Sequence, residues 1–396
     1  MPPYHVVLLT NILPPYRIPL FNALSRCEGF AFTIAFLAEQ ESNRRWRVRA
    51  DELTVTHVTL PGWNRYLWRI ELPLHVNWSV YHFLKRQNPD AVIIGGYASV
   101  GSWLALLFCR LHSRRLILWS GTTHASVRMR SPLMRAARRV FVGAADAFVT
   151  YGTRASVFLV SLGARHESMF AGPNVGDVNY FRDAVRRYRE TADFAQRRAA
   201  LRGPVILFVG QFIPRKGVEQ FLRALSDVRE REWTAYIVGD GPLRAHLESV
   251  RGELGLTGKV HFEPFREREE LVTFYSLADI FVLPSLLEVG AIVVSEALAS
   301  GLFVLASQSD GVAPDLIQPG RNGRIVDPSN PGAFSSAIEE AFQIVSRTNL
   351  REEIVASIAS HTPKEYAHAF CRALHHALEA SPRPHRKPAD AISADR

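Results

Sequence analysis

ADIFVLPSLLEVGAIVVSEALASG, residues 278–301, reads as one strand, one loop and one helix in line. Ile280–Ser285 is a short, near-continuous apolar run, as buried parallel strands are. Ala291–Ser300 has helical composition and is ended by Gly301 at the usual C-terminal cap position. LFVLAS (302–307) then begins the next strand, so the stretch is one strand-helix-strand step of a parallel sheet. Two glutamates stand in it. Glu288 falls in the strand-to-helix loop and Glu296 in the second turn of the helix.

The same alternation extends in both directions. PVILFVG (204–210), WTAYIVG (233–239), KVHFEP (259–264) and GRIVD (323–327) join DIFVLPS and LFVLAS as strands of the second half. In the first half HVVLLT (5–10), FTIAFL (32–37), TVTHVTL (54–60), AVIIGG (91–96), RLILWS (115–120) and AFVTYG (147–152) read as strands. TVTHVTL alternates polar and apolar residues, which suits an edge. Helical patterns cover Ile18–Arg26, Trp78–Arg86, Gly101–Leu111 and Thr153–Leu162. Segment 172–203 loses strand character and gains charge, and marks the region between domains. The fold class is therefore α/β, with two Rossmann-like doubly wound domains facing a cleft. The expected divisions are 1–178, 179–361, a final helix over 362–380 that opens at Thr362 and Pro363, and a disordered Pro-rich tail, 381–396.

Length and composition agree with this division. A chain of 396 residues, 47% apolar and 21% charged, has ample material for two buried sheets. No apolar run reaches the roughly 18–20 residues of a membrane span, and the start lacks signal-peptide features. Cys27, Cys109 and Cys371 are scattered and without CxxC spacing. The expectation is a reduced, cytoplasmic chain with neither disulfide framework nor zinc site. The net charge of +9 lies wholly in the first half, with 20 Lys and Arg against 10 Asp and Glu through residue 180 and 27 against 28 beyond it. No zinc-finger spacing, RNP-like aromatic motif or Lys-rich tail points to nucleic acid. The densest basic piece, SVRMRSPLMRAARRVFVG (126–143), sets Arg128, Arg130, Arg135, Arg138 and Arg139 among Met129, Leu133, Met134, Val140 and Phe141. From Pro132 onward it is a basic amphipathic helix suited either to an anionic membrane surface or to a core-facing position with a solvated basic face.

Candidate site residues collect at strand ends. The helix that follows Glu288 offers backbone N–H groups and a positive dipole end, an anion site by physics alone, and Gly290 permits close approach to the backbone. GQFIPRKG (210–217) follows the first strand of the second domain and opens its first helix. It is not a P-loop, because GxxxxGK[ST] is absent, but Lys216 is placed to meet a diphosphate. Arg215 beside it is a candidate for substrate binding as well, though its position reads first as a solvated loop charge. His124, in LWSGTTHASV, follows a first-domain strand and faces the cleft. Phe265 follows KVHFEP and would flank a base; Asp240 reads as a turn residue, Asn174 as a structural cap, and the aromatic cluster WNRYLW (63–68) as a lid or core edge. No HxxxH, HExxH or D-x-D is present, so no metal and no cofactor is expected.

GQFIPRKG, VGDGPL (238–243), residues 278–301 and DGVAPDLIQPGRNGRIVDP (310–328), in that order, resemble the nucleotide-sugar-binding half of retaining glycosyltransferases of family 4, which have the GT-B fold. TNILPPYRIPLFNAL (10–24) and GPNVGDVNYF (172–181) resemble the family's first loop and domain junction more loosely. The resemblance implies that Glu288 contacts the donor sugar, Glu296 holds the ribose hydroxyls and Lys216 neutralises the departing diphosphate. Backbone amides around Gly290, Ala291 and Ile292 would meet the β-phosphate, and Tyr16 and Arg17 would lie across the cleft near the phosphates or the acceptor. His124 would touch the donor sugar. The first domain would bind the acceptor, and helix 362–380 would cross back onto it. Gln211 stands where the family usually has Arg, and the family's glycine three residues after the first Glu is here Ala291, with glycine at 290. The implied function is a metal-independent, retaining hexosyltransferase. It would move a sugar from a nucleotide diphosphate sugar to a lipid-linked or polysaccharide-precursor acceptor, in the cytoplasm at the inner face of the membrane. A sugar-nucleotide epimerase or hydrolase of the same fold, and a non-catalytic nucleotide-sugar-binding subunit, are the alternatives.

Overall fold

The computed structural model describes residues 2–42, 44, 46–67, 72–127, 131–347 and 350–379. Trp68, Arg128, Met129, Arg130 and the tail 381–396 lie outside the described residues. The first half carries β1 (Tyr4–Thr10), β2 (Phe30–Phe36), β3 (Thr56–Thr59), β4 (Trp63–Leu67), β5 (Leu72–Val76), β6 (Ala91–Gly95), β7 (Arg115–Ser120), β8 (Ala147–Thr150) and β9 (Met169–Ala171). Seven of them form a parallel sheet in the order β3-β2-β1-β6-β7-β8-β9, while β4 and β5 pair antiparallel as a separate hairpin. The second half carries β10 (Val205–Val209), β11 (Thr234–Val238), β12 (Val260–Glu263), β13 (Ile280–Leu283), β14 (Phe303–Ser307) and β15 (Gly323–Val326). These run parallel in the order β12-β11-β10-β13-β14-β15. That is the 3-2-1-4-5-6 order of a dinucleotide-binding sheet, with its crevice where the order reverses.

The apolar runs explain the layering. Val6, Leu8, Ile34 and Ile93 pack on one face of the first sheet and Val7, Leu9, Ile94 and Leu118 on the other, so each face holds its own core. Alternate residues of one strand point to opposite faces, and both are covered. β3 lies at the sheet edge and is largely exposed, as its alternating sequence predicts. Of WNRYLW, expected as a lid or core edge, Trp63–Leu67 forms strand β4, with Trp63 exposed. The second sheet has one contiguous core running from Val175 to Ile358. Segment 172–203, without strand character as expected, carries two helices, Val178–Arg189 and Ala192–Ala199.

The last helix, Pro363–Glu379, packs on the first sheet, with Tyr366, Phe370 and Leu374 fully buried beside Leu20, Phe21 and Trp119. Cys371 on this helix and Cys27, just past the first helix (Ile18–Leu24), form a disulfide. This corrects the expectation of reduced thiols. The two cysteines are 344 residues apart in sequence, and only the packing of the last helix against the first brings them together. Cys109 is buried and is not in a disulfide.

Candidate functional site

The strand order brings two loops to one place. β10 and β13 are neighbours at the reversal, so segment 210–217 after β10 lies beside segment 284–291 after β13. Gly217 closes the first loop with φ +66°, and a Cβ there would sit 1.9 Å from the Pro284 carbonyl oxygen. Only glycine permits this approach. The Leu286 N–H donates to the Arg215 carbonyl at 2.8 Å and ties the loops together. Lys216 Nζ consequently meets Glu288 Oε2 in an ion pair, and Arg215 Nη1 lies 3.4 Å from the same oxygen. Arg215 is thus a partner of Glu288 and not the solvated loop charge its sequence suggests. Burial pushes the Glu288 carboxyl up, but the charges of Lys216 and Arg215 outweigh it and hold it below the usual range.

The helix Ile292–Ala299 begins beside this cluster. Asp310, fully buried in the loop after β14, accepts from the backbone N–H groups of Ala291 at 2.8 Å, Val312 at 2.8 Å and Ala313 at 2.6 Å. The Ala291 amide, expected to face a phosphate, is therefore engaged by a carboxylate. Gly290 and Ile292 stay beside it at the helix start. Burial, with the charge of Glu288 next, raises the Asp310 carboxyl. A Cβ on Gly290 would come within 2.9 Å of Asn174 Nδ2, which donates to the Gly290 carbonyl at 3.3 Å. The Asn174 Oδ1 accepts from Arg17 Nη2 at 2.5 Å. Asn174 is thus no cap. It bridges the first-domain loop at Arg17 to the second-domain loop at Gly290.

Glu296 is set apart from Glu288 by its surroundings. The Tyr275 hydroxyl donates to its Oε2 at 2.9 Å, and its Oε1 faces Gly176 in the junction, where a Cβ would approach to 3.2 Å. Burial raises its carboxyl to about 7; the Tyr275 hydrogen bond opposes this and the charge of Asp177 adds to it. One carboxylate is held ionised by cations and the other is held back from ionising. Different partners fix the two, so the structure does not build them into one acid–nucleophile couple.

The other expected residues are more dispersed. His124 is exposed, with its ring edge-on to Phe158 at 5.1 Å. Its neighbour Thr123 reaches the second domain, since a Cβ on Gly311 would lie 3.0 Å from Thr123 Cγ2. Gln211 stands at the carboxyl end of β10, Phe265 is 36% exposed past β12, and Tyr16 packs edge-on against Trp46. Asp240 accepts from the Gly241 N–H, as a turn residue would. Tyr275, Asp310, Glu41 and Trp46 were missed. Only Asp310 had a signal, since it opens the DGVAPD loop at a strand's carboxyl end.

Residues 189–373 match the family model described as glycosyl transferases group 1. An alpha-D-kanosaminyltransferase of Streptomyces kanamyceticus is 28% identical over 270 residues, covering 66% of this chain and 67% of the relative. A GDP-mannose-dependent phosphatidylinositol monomannoside mannosyltransferase of Mycolicibacterium smegmatis is 32% identical over 165 residues, 39% of this chain and 41% of that one. A D-inositol 3-phosphate glycosyltransferase of Corynebacterium jeikeium is 32% identical over 201 residues, 48% and 47%. The match thus spans about two fifths to half of the last two relatives. Among solved structures, a glycosyltransferase of Rickettsia africae superposes with a TM-score of 0.73 at 14% identity, covering 96% of this chain and all of that one. HepE of Anabaena, solved with UDP and glucose, superposes at 0.70 and 16%, covering 94% and 99%. The fold shared with these glycosyltransferases is GT-B.

Proposed function

We propose that the protein is a retaining, metal-independent glycosyltransferase of family 4 type that transfers a sugar from a nucleoside diphosphate sugar to a lipid-linked or polysaccharide-precursor acceptor. The observation that carries this is the Lys216–Arg215–Glu288 cluster at the reversal of the second sheet, beside the start of helix 292–299. In such a site the departing diphosphate gathers negative charge as the glycosidic bond to the donor lengthens. Lys216 and the helix N-terminus supply preorganised positive potential to it. The ionised Glu288 accepts hydrogen bonds from donor-sugar hydroxyls, and Glu296, one helical turn deeper, accepts from the ribose hydroxyls. The leaving phosphate takes the acceptor's proton on the face it departs from, which retains configuration. The relatives named for GDP-mannose and the neighbour solved with UDP support a nucleotide donor.

Calorimetric titration of a panel of nucleoside diphosphates tests this. One of them binds in the micromolar range, and Lys216→Ala and Glu296→Ala each weaken it at least about tenfold. Absence of binding by every nucleotide would remove the reading.

A membrane-held acceptor is supported by the surface of the first domain. Trp103, Leu107 and Leu111 form an exposed stripe on helix Val100–Leu111, joined through the Trp103–Phe141 ring contact to helix Pro132–Ala144. That helix exposes Leu133, Val140, Arg135 and Arg139, with Arg110 alongside; Arg138 instead turns toward Tyr97. No helix among the described residues is long and apolar enough to cross a membrane. Apolar side chains ringed by arginines fit an anionic headgroup layer. Sedimentation with anionic vesicles should fall with added salt and in Arg135→Glu/Arg139→Glu; binding unchanged in both would discard the membrane role.

A further inference from the structure

A cavity of about 190 Å³ lies at the carboxyl edge of the first sheet. A water molecule takes about 30 Å³ of liquid volume, so the space holds a small molecule's functional group and not a single solvent molecule. Every residue that lines it belongs to the first domain, Arg17, Glu41, Arg44 and Trp46 among them, and none comes from the loops at 210–217 or 284–292.

The lining is rich in donors without acceptors. Arg17 is only 5% exposed. Its guanidinium sits among the rings of Tyr16, Trp119, Tyr151 and Tyr366 at 4.9–5.5 Å from their centres. Nη2 is held by Asn174 and the Tyr151 and Tyr366 hydroxyls lie against the side chain, but Nη1 is buried and, among the described residues, has no partner at hydrogen-bonding geometry. Among the described residues no carboxylate pairs with it. Aromatic faces offset part of the cost of burying such a charge and leave the rest outstanding. Arg44 Nε and Trp46 Nε1 are likewise buried without a hydrogen-bond partner among the described residues, and the Arg44 guanidinium stacks 4.8 Å over the Trp46 ring. Guanidinium and indole N–H groups only donate, so the missing partner is an acceptor. The one acid in the lining, Glu41, is occupied by His75 Nε2 at 3.2 Å, with Arg44 Nε at 3.8 Å.

We propose that this cavity is a subsite for an acidic group, phosphate or carboxylate, carried by the acceptor and separate from the donor's diphosphate. The inference rests on the glycosyltransferase reading and deepens it by naming the acceptor's chemical class. Planar guanidinium groups grip such oxyanions from two directions. The Arg17–Asn174–Gly290 relay links the subsite to the donor loop through a single residue.

The test uses inorganic phosphate and glucose 6-phosphate against glucose as probes in equilibrium dialysis with the full chain. It is run with and without a saturating nucleoside diphosphate. We expect one phosphate per chain, retained when the nucleotide site is full and in Lys216→Ala. Binding should weaken about tenfold in Arg44→Gln and measurably in Trp46→Phe, which keeps the ring and removes only the N–H. Arg44 and Trp46 lie in a partly exposed loop, so these variants leave the core intact. Phosphate displaced by the nucleotide or lost in Lys216→Ala would place the anion in the donor site and overturn the proposal. So would binding that neither variant changes, and so would the absence of phosphate binding while a nucleotide binds. Failure of every nucleotide to bind would remove the underlying reading, and the proposal with it.

Discussion

Glu296 keeps its proton to about pH 7, where an ordinary glutamate gives it up near 4.5. The folded chain binds that proton more tightly than the unfolded one, so the contribution is complete below pH 4.5 and is lost as pH rises to 7. Across that interval it amounts to about 3 kcal/mol. Glu296→Gln keeps an acceptor for Tyr275 and removes the titration. Its thermal midpoint should match the parent's near pH 4.5 and exceed it at pH 8; a gap that does not change with pH would show an ordinary carboxyl. Glu288 has the opposite dependence on its neighbours. Lys216→Met strands a buried carboxylate with only Arg215 beside it and should cost about 3 kcal/mol in urea unfolding, most of which Glu288→Gln in the same chain restores. Lys216 and Glu288 were legible in the sequence because each sits just past a recognisable strand end, and Glu296 because it lies in the helix that follows. Their partners were not. Tyr275 lies in a helix without a motif, and the Asp310 carboxylate reaches the Ala291 amide only after two strands have been laid side by side.

At the scale of elements, the short turn Pro214–Lys216 shows how a loop becomes a site. Gly217 lets the chain turn so closely on Pro284 that Lys216 can face Glu288. Gly217→Ala should therefore destabilise by at least about 2 kcal/mol, from a left-handed backbone and a clash with a carbonyl that cannot move aside, and should abolish nucleotide binding. Gly252→Ala is the control. It lies within helix Arg244–Glu253 with open space around its Cβ position, so a gain of about 0.5 kcal/mol is expected. Equal effects at the two sites would refute the steric account. Buried parallel strands such as β1, β6 and β13 announce themselves by continuous apolar runs. β9 has three residues, too few for any period to show. The hairpin β4–β5 was hidden because its first strand read as an aromatic cluster.

Across the whole molecule, the domains meet not only at Asn174 but along an ionic clasp. Arg49 donates twice to Glu269 at 2.8 Å and once to Glu52 at 3.0 Å, and the Arg47 N–H donates to Glu267 at 3.0 Å. The Arg49 hydrogen bonds pull the Glu269 carboxyl down to about 2. Glu269 is nearly half exposed, so each such pair adds at most about 1 kcal/mol and salt weakens it. The clasp therefore biases closure without locking it. Arg49→Glu should enlarge the radius of gyration in small-angle scattering at low salt, and adding Glu269→Arg should reverse this; no change in either would mean the clasp does not set the spacing. None of this was readable beforehand, since a salt bridge between residues 220 apart leaves no local pattern.

The return of helix Pro363–Glu379 to the first sheet has a consequence for how the protein is made. A ribosome completes β9 and then adds roughly 190 residues before that helix exists. At about 5–20 residues per second this takes roughly 10–40 s, during which the apolar face around Leu20, Phe21 and Trp119 waits uncovered. The domain that starts first is finished last, and the nascent chain spends that interval as a client for whatever shields exposed apolar surface at the exit of the ribosome.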